Sequence, residues 1–409
     1  MDGPAGHRSS LVDSRYAWLR LGMALLLGTV GSVGMWSYVV ALPAVQAGFA
    51  ATRADASIPY TMAMVGFAVG NMILGRLADR FGIVTPILLS IASLGIGFVS
   101  AGFAPTLWLL SAAHLLIGFG SAASFGPLIA DLSHWFQKRR GIAIAIAASG
   151  NYVAGAVWPP IIQHFIASDG WRATHIGTGI FCVIAMLPLS LMFRGRPDVH
   201  AVGGTQVRGF VAPDIGVSRN TLFVLLCIAG VACCVAMAMP QVHIVAYCGD
   251  LGYGVARGAE MLSLMLAFGI ISRVGSGFIA DRFGGVVTLL IGSVMQAVAL
   301  LLYFLFDGLT SLFVISILFG LFQGGIVPSY AVIIREYFPP QEAGARLGTV
   351  IMATVFGMAL GGWMSGYIFD LTGSYRAAFL NGLAWNLLNL SVALWLLRAG
   401  RPRARAVAA

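Results

Sequence analysis

The chain has 409 residues, of which 59% are hydrophobic and 10% charged, with a mean hydropathy of +0.89 and a formal net charge of +9. Such an apolar composition at this length excludes a water-soluble domain. The positive charge sits in short loops and in a tail carrying Arg398, Arg401, Arg403 and Arg405, which points to membrane topology and anionic headgroups rather than to nucleic acid.

Apolar runs long enough to cross a bilayer, at about 20 residues each, occupy 17–42, 57–79, 84–104, 107–131, 141–166, 173–194, 219–247, 257–280, 285–306, 309–335, 346–370 and 376–398. In lipid every backbone group must be satisfied internally, and runs this long and continuous are helices rather than barrel strands. The expected fold is therefore all-α and integral to the membrane. The first span follows Arg8, Asp13 and Arg15 without a small-residue cleavage site, so it is expected to be a retained helix and not a signal peptide.

The second span ends in Gly75-Arg76-Leu77-Ala78-Asp79-Arg80-Phe81-Gly82, and 202 residues later Gly277-Phe278-Ile279-Ala280-Asp281-Arg282-Phe283-Gly284 repeats six of those eight residues. Gly118 maps onto Gly320 at the same offset, and Trp135-Phe136 onto Tyr337-Phe338. The twelve spans thus form two pseudo-symmetric six-helix bundles, 1–194 and 219–409, joined by a polar linker at 195–218. Transporters are often built this way, with the site between the repeats. With both termini in the cytoplasm, 19 of the 24 Lys/Arg lie on that side and 4 outside. That asymmetry favours this orientation. Glycine pairs such as Gly66/Gly70 and Gly357/Gly361 allow close helix approach, and the stretches Gly118 to Pro127 and Gly320 to Pro328 allow the fourth and tenth spans to bend. Cys182, Cys227, Cys233, Cys234 and Cys248 lie in or beside apolar segments without metal-ligand spacing, as packing residues do.

The two octets resemble the loop motif of the major facilitator superfamily, and the resemblance extends over the whole chain. It implies the major facilitator fold, with Asp79, Arg80, Asp281 and Arg282 forming a cytoplasmic gate; Ile83-Val84-Thr85 depart from the basic residues that commonly follow. Within that superfamily Asp13-Ser14-Arg15-Tyr16-Ala17-Trp18, Trp135 through Ala143, Ala148-Ser149-Gly150 and Gly170-Trp171-Arg172 are similar to the monocarboxylate porter and oxalate/formate exchanger group, although Ser14 and Arg15 break the glycine pair of its opening signature.

Arg273 lies inside the eighth span, where a charge costs roughly 2.5–3.5 kcal/mol even on insertion scales. A guanidinium offers a planar fork for a carboxylate, and the nearest acid on that helix, Glu260, is more than three turns away. The resemblance likewise implies that an arginine here holds the substrate carboxylate. Two departures refine this. Where oxalate exchangers are expected to carry a second cation the chain reads Ile351-Met352-Ala353-Thr354-Val355, so one carboxylate is expected, on a lactate- or pyruvate-like molecule. Gly269 stands where animal proton-coupled members place an acid, which leaves His114 and His243 as candidates for carrying a proton. Further expected substrate contacts from the central spans are Tyr38, Phe125, Asn151, Tyr152, Tyr247, Gln323 and Tyr330.

No Ser/His/Asp setting, His-x-x-x-His pair or phosphate-cradling loop occurs. The expectation is a non-enzymatic secondary transporter with no cofactor and no metal. It moves a small organic anion, a lactate- or pyruvate-like monocarboxylate, by alternating access in the lipid bilayer, coupled to a proton. A carboxylate exchanger and a transport-dead sensor of the same fold are the alternatives. Arginine- and alanine-rich composition suggests a bacterial inner membrane.

Overall fold

The computed structural model describes residues 11–195 and 216–399. Most of the linker 195–218 and the tail arginines 401, 403 and 405 lie outside the described residues. Among the described residues fifteen helices follow one another: α1 (Arg15–Gly31), α2 (Val33–Phe49), α3 (Arg53–Phe81), α4 (Val84–Phe103), α5 (Leu107–Ala122), α6 (Gly126–Leu132), α7 (Arg140–Ala148), α8 (Gly150–Leu191), α9 (Arg219–Asp250), α10 (Val255–Phe283), α11 (Gly285–Leu305), α12 (Leu309–Gln323), α13 (Ile326–Tyr337), α14 (Pro340–Thr372) and α15 (Tyr375–Ala399).

Several of these pair end to end. α1 and α2 form one span interrupted at Ser32, α5 continues into α6, and α12 into α13. α8 is two crossings in one run of helix, broken at Gly170, whose φ of 80° only glycine adopts freely. The described chain therefore has eleven long apolar helical stretches, one of which folds back at Gly170, in agreement with twelve crossings. The interruptions of the fourth and tenth spans fall where the glycines led the sequence reading to expect bends, at Ala123–Phe125 and Gly324–Gly325.

The repeat also governs packing. A Cβ on Gly118 would meet the Ala63 carbonyl oxygen at 1.9 Å, and one on Gly320 would meet that of Met265 at 2.1 Å. Ala63 and Met265 are themselves 202 apart, so each half brings the same two helices into backbone contact through the same glycine. In the first half the end bearing the N-terminus is tied by a buried ion pair, Arg20 Nη2 to Asp131 Oδ2 at 2.9 Å, with the guanidinium over the Trp135 ring at 4.4 Å. Asp13 reaches the same corner, accepting the backbone N–H groups of Gln137 and Lys138.

Gly118→Ala and Gly320→Ala should each destabilise the protein by about 1–3 kcal/mol, lowering the thermal midpoint in detergent. Gly177→Ala, where nothing lies within 4 Å of the added carbon, should leave that midpoint unchanged.

Candidate functional site

Arg273 stands on α10, ten residues and about 15 Å from its end at Phe283. It is half-buried, and among the described residues no acid lies within ion-pairing distance of it. Its partners come from the other half. Nη1 donates to the Ala148 carbonyl at 3.1 Å, beside the interruption between α7 and α8 at Ser149, and the guanidinium carbon lies 4.3 Å from the Tyr152 ring centroid. Helix interruptions release carbonyls from the i→i+4 ladder, and here one is used to hold a cation. The Nε–H is buried and bonds to nothing. A buried donor left unpaired costs about 1–3 kcal/mol, which a carboxylate on the Nε–Nη2 edge would offset.

Gly269 explains the missing acid. A Cβ at this position would meet the Tyr152 ring at 2.5 Å, so any side chain there would displace the ring that lies under the guanidinium. Arg273 therefore has an aromatic face where a carboxylate could have stood.

The cavity beside Arg273 has a volume of about 150 Å³ and takes walls from both halves. The first half contributes Trp36 from α2, Tyr60, Met64 and Phe67 from α3, Phe125, and Asn151 and Tyr152 from α8. The second contributes Cys234, Met237 and Gln241 from α9, Val327 from α13, and Ile351, Thr354, Val355 and Met358 from α14. Trp36 Nε1 donates to both the backbone carbonyl and Oδ1 of Asn151, at 3.0 and 3.1 Å. That fixes the amide and leaves its N–H₂ group available. The segment 351–355 faces Arg273 across the cavity without a cation of its own. Two larger clefts, of about 550 and 540 Å³, are lined by α8 and α4 residues alone, including the exposed Phe165, Phe181 and Ile184. They lie on the outer surface of the first half and no cation is among the residues that line them, so the smaller cavity is the candidate site.

Of the residues expected at the site, the cavity gathers Arg273, Asn151, Tyr152 and Phe125. Gln323 stands one layer behind, its Oε1 accepting from Gln241 Nε2 at 3.0 Å. The other expected contacts are not at the cavity. Tyr38 is fully buried, donates to the Ala56 carbonyl and packs on the His114 ring; Tyr330 is fully buried and donates to Asn389; Tyr247 packs against Tyr375 and Phe379. His114 is enclosed within the first half, its Nδ1 donating to the Leu110 carbonyl four residues earlier. Asp79, Arg80, Asp281 and Arg282 are exposed and make no ion pair among the described residues, where each arginine lies over the phenylalanine that follows it. The expected gate is thus unmade in this conformation.

The opposite end of the molecule is closed by a network that the sequence reading missed. Arg53 opens α3 and is buried. Its Nη1 donates to the Tyr375 hydroxyl at 2.6 Å, its Nη2 to Asp250 at 3.1 Å, and its guanidinium covers the Phe369 ring. The backbone N–H groups of Arg53 and Ala54 donate to the two oxygens of Asp370, so an acid from the second half caps a helix of the first. His243 completes the network. Its Nε2 donates to the Gly362 carbonyl at 2.7 Å, which leaves Nδ1 to accept from the Tyr375 hydroxyl at 3.0 Å. Contact between α3 and α14 reaches down to Thr61, whose hydroxyl donates to the Ala359 carbonyl. Beyond it α3 exposes Val65, Val69, Met72 and Ile73. The halves are latched at the end remote from the N-terminus and part toward the other.

Residues 24–313 and 261–409 match the family model of the Major Facilitator Superfamily. Over 401 residues the chain is 27% identical to monocarboxylate transporter 13 of Rattus norvegicus, covering 95% of this chain and 91% of that protein. It is 26% identical over 325 residues to monocarboxylate transporter 4 of Mus musculus, covering 74% of this chain and 66% of that protein. Among solved structures, the nucleoside transporter NupG superposes with a TM-score of 0.75 over 93% of this chain and 99% of its own at 14% identity. A bacterial homologue of the lysosomal transporter Spinster, inward-facing and unoccupied, superposes with a TM-score of 0.71 over 95% of this chain and 96% of its own at 16% identity. At these identities the structures speak to the fold.

Removing the Arg53 side chain should release the latch. In Arg53→Ala, a cysteine introduced by Thr61→Cys should react several-fold faster with an impermeant thiol reagent applied at the latched face than it does in the Arg53 background; equal rates would mean that other contacts hold this end shut.

Proposed function

The chain belongs to the Major Facilitator Superfamily, and on that premise we propose that it is a secondary transporter of a small monocarboxylate, held by Arg273 between the two halves and released by alternating access. One observation carries the reading: a guanidinium within the membrane, at a cavity both halves line, has no carboxylate partner among the described residues. A single cation suits a single carboxylate. The resemblance to monocarboxylate transporters supports the same class. Loop charge supports placing the N-terminal face in the cytoplasm, which makes this an inward-facing conformation, and composition supports a bacterial inner membrane.

For coupling, we infer exchange of one carboxylate for another. None of the cavity-lining residues is Asp, Glu or His, so no group beside Arg273 is suited to take a proton as the substrate leaves. Returning empty would expose an unneutralised cation, whereas returning with a second anion would not. Proton-linked symport is the second reading, and His243 favours it from outside the cavity. Protonating its Nδ1 would remove the acceptor of the Tyr375 hydroxyl and so loosen the latch.

Counterflow of radiolabelled monocarboxylate in proteoliposomes tests the clamp. Arg273→Lys keeps the charge and loses the fork, and losing one charge-assisted hydrogen bond of about 1.5–3 kcal/mol should lower uptake at limiting substrate about ten- to a hundredfold. Near-normal uptake would refute the clamp.

A pH electrode decides the coupling. Exchange predicts that adding substrate leaves the external pH unchanged while labelled anion enters. Symport predicts alkalinisation that disappears in His243→Gln.

A further inference from the structure

Resting on the reading of Arg273 as the carboxylate's partner, the cavity also specifies the rest of the substrate. We propose that it selects monocarboxylates with an apolar tail, a straight or branched alkyl chain or an aryl ring, over the hydroxy and keto acids of similar size.

The walls beyond Arg273 are apolar and deformable. Met64, Met237 and Met358 come from three different helices, and Phe67 and Phe125 stand with ring centroids 6.0 Å apart. Methionine side chains are unbranched and polarisable, and adapt to tails of different shape. Aromatic edges and faces favour apolar or aryl groups.

Three of the polar atoms that could recognise a hydroxyl or keto oxygen are engaged. Asn151 Oδ1 accepts from Trp36, Gln241 Nε2 donates to Gln323, and the Thr354 hydroxyl donates to the Ile351 carbonyl at 2.6 Å. The Asn151 amide N–H₂ and the edge of Arg273 remain for the carboxylate, and the Tyr60 and Tyr152 hydroxyls and Gln241 Oε1 are also without a partner among the described residues, so the selectivity rests on the wall of methionines and phenylalanines. A hydroxyl held against the methionine and phenylalanine wall would lose its water without gaining a partner there, and that costs affinity.

Thermal-shift titration of the purified full-length protein tests this with acetate, propionate, butyrate, valerate, phenylacetate, lactate and pyruvate, each also against Arg273→Lys and Met237→Gln. Ligand binding to the folded state raises the midpoint with concentration and yields apparent affinities. Affinity should rise about fourfold per methylene from acetate to valerate, and propionate should bind roughly tenfold or more tightly than lactate. Met237→Gln should flatten the series, and Arg273→Lys should weaken every member of it.

A flat series, or lactate equal to or tighter than propionate, with dependence on Arg273 retained, would overturn the tail selectivity and leave the clamp standing. A rising series that survives Arg273→Lys would keep the apolar wall and overturn the clamp. Silence across the panel from folded protein would overturn both.

Discussion

A positive charge without a counter-charge inside the membrane is the constraint around which the centre of this molecule is arranged. Arg273 cannot be left facing lipid, and among the described residues no acid answers it. The structure meets the demand with weaker partners, a backbone carbonyl released near a helix interruption and the face of a tyrosine ring. Both partners depend on small residues. Gly269 makes room for the Tyr152 ring, and the interruption at Ser149 lies beside the Ala148 carbonyl. Partial solvation of this kind holds the guanidinium in place and leaves its Nε–H free for the carboxylate proposed above, whereas a resident ion pair would already have satisfied it.

The repeat supplies a symmetric scaffold and an asymmetric site. Shifted by 202 residues, Met35 maps onto Met237, Phe125 onto Val327 and Tyr152 onto Thr354, and all six line the cavity. The counterpart of Arg273 is Asn71, whose amide accepts the Gly126 N–H and donates to the Phe67 carbonyl. One half thus uses this register to stabilise a broken helix and the other to present a charge. Pairwise symmetry suits a carrier that must offer similar walls to either side, while the single cation gives the substrate one polar end.

The spans, the duplication and the exceptional status of Arg273 were legible in the sequence because each depends on composition or on an exact offset. Which side chains turn inward was not. Tyr38 and Tyr330 are on helices that line the centre, yet both side chains turn away from it into the packing of their own half. Periodicity cannot resolve this where a helix is apolar on every side. His114 misled for the same reason. Met64, Met237 and Met358 carry no sequence signal that separates them from ordinary core. The latch was hidden differently: Arg53, Asp250 and Asp370 each end a span, where a charge is expected anyway. Their pairing joins residues up to 317 apart in sequence, and only the tertiary fold reveals it.

The contacts that hold Arg273 also connect the site to the movement proposed for it. Arg273 belongs to the second half, while Ala148 and Tyr152 belong to the first. The cation therefore binds the halves together below the latch, at the depth where α3 and α14 have already separated. A carboxylate that takes the Nε–Nη2 edge neutralises the guanidinium and weakens its attraction to the ring beneath it. Binding and release of the anion then change how firmly α10 is held to α8, while the latch responds to events at the far end. Because α14 carries both Thr354 at the cavity and Asp370 at the latch, a tilt of that one helix moves the two together. In the mechanism proposed above, substrate and latch would thus act on the same rigid element from different depths.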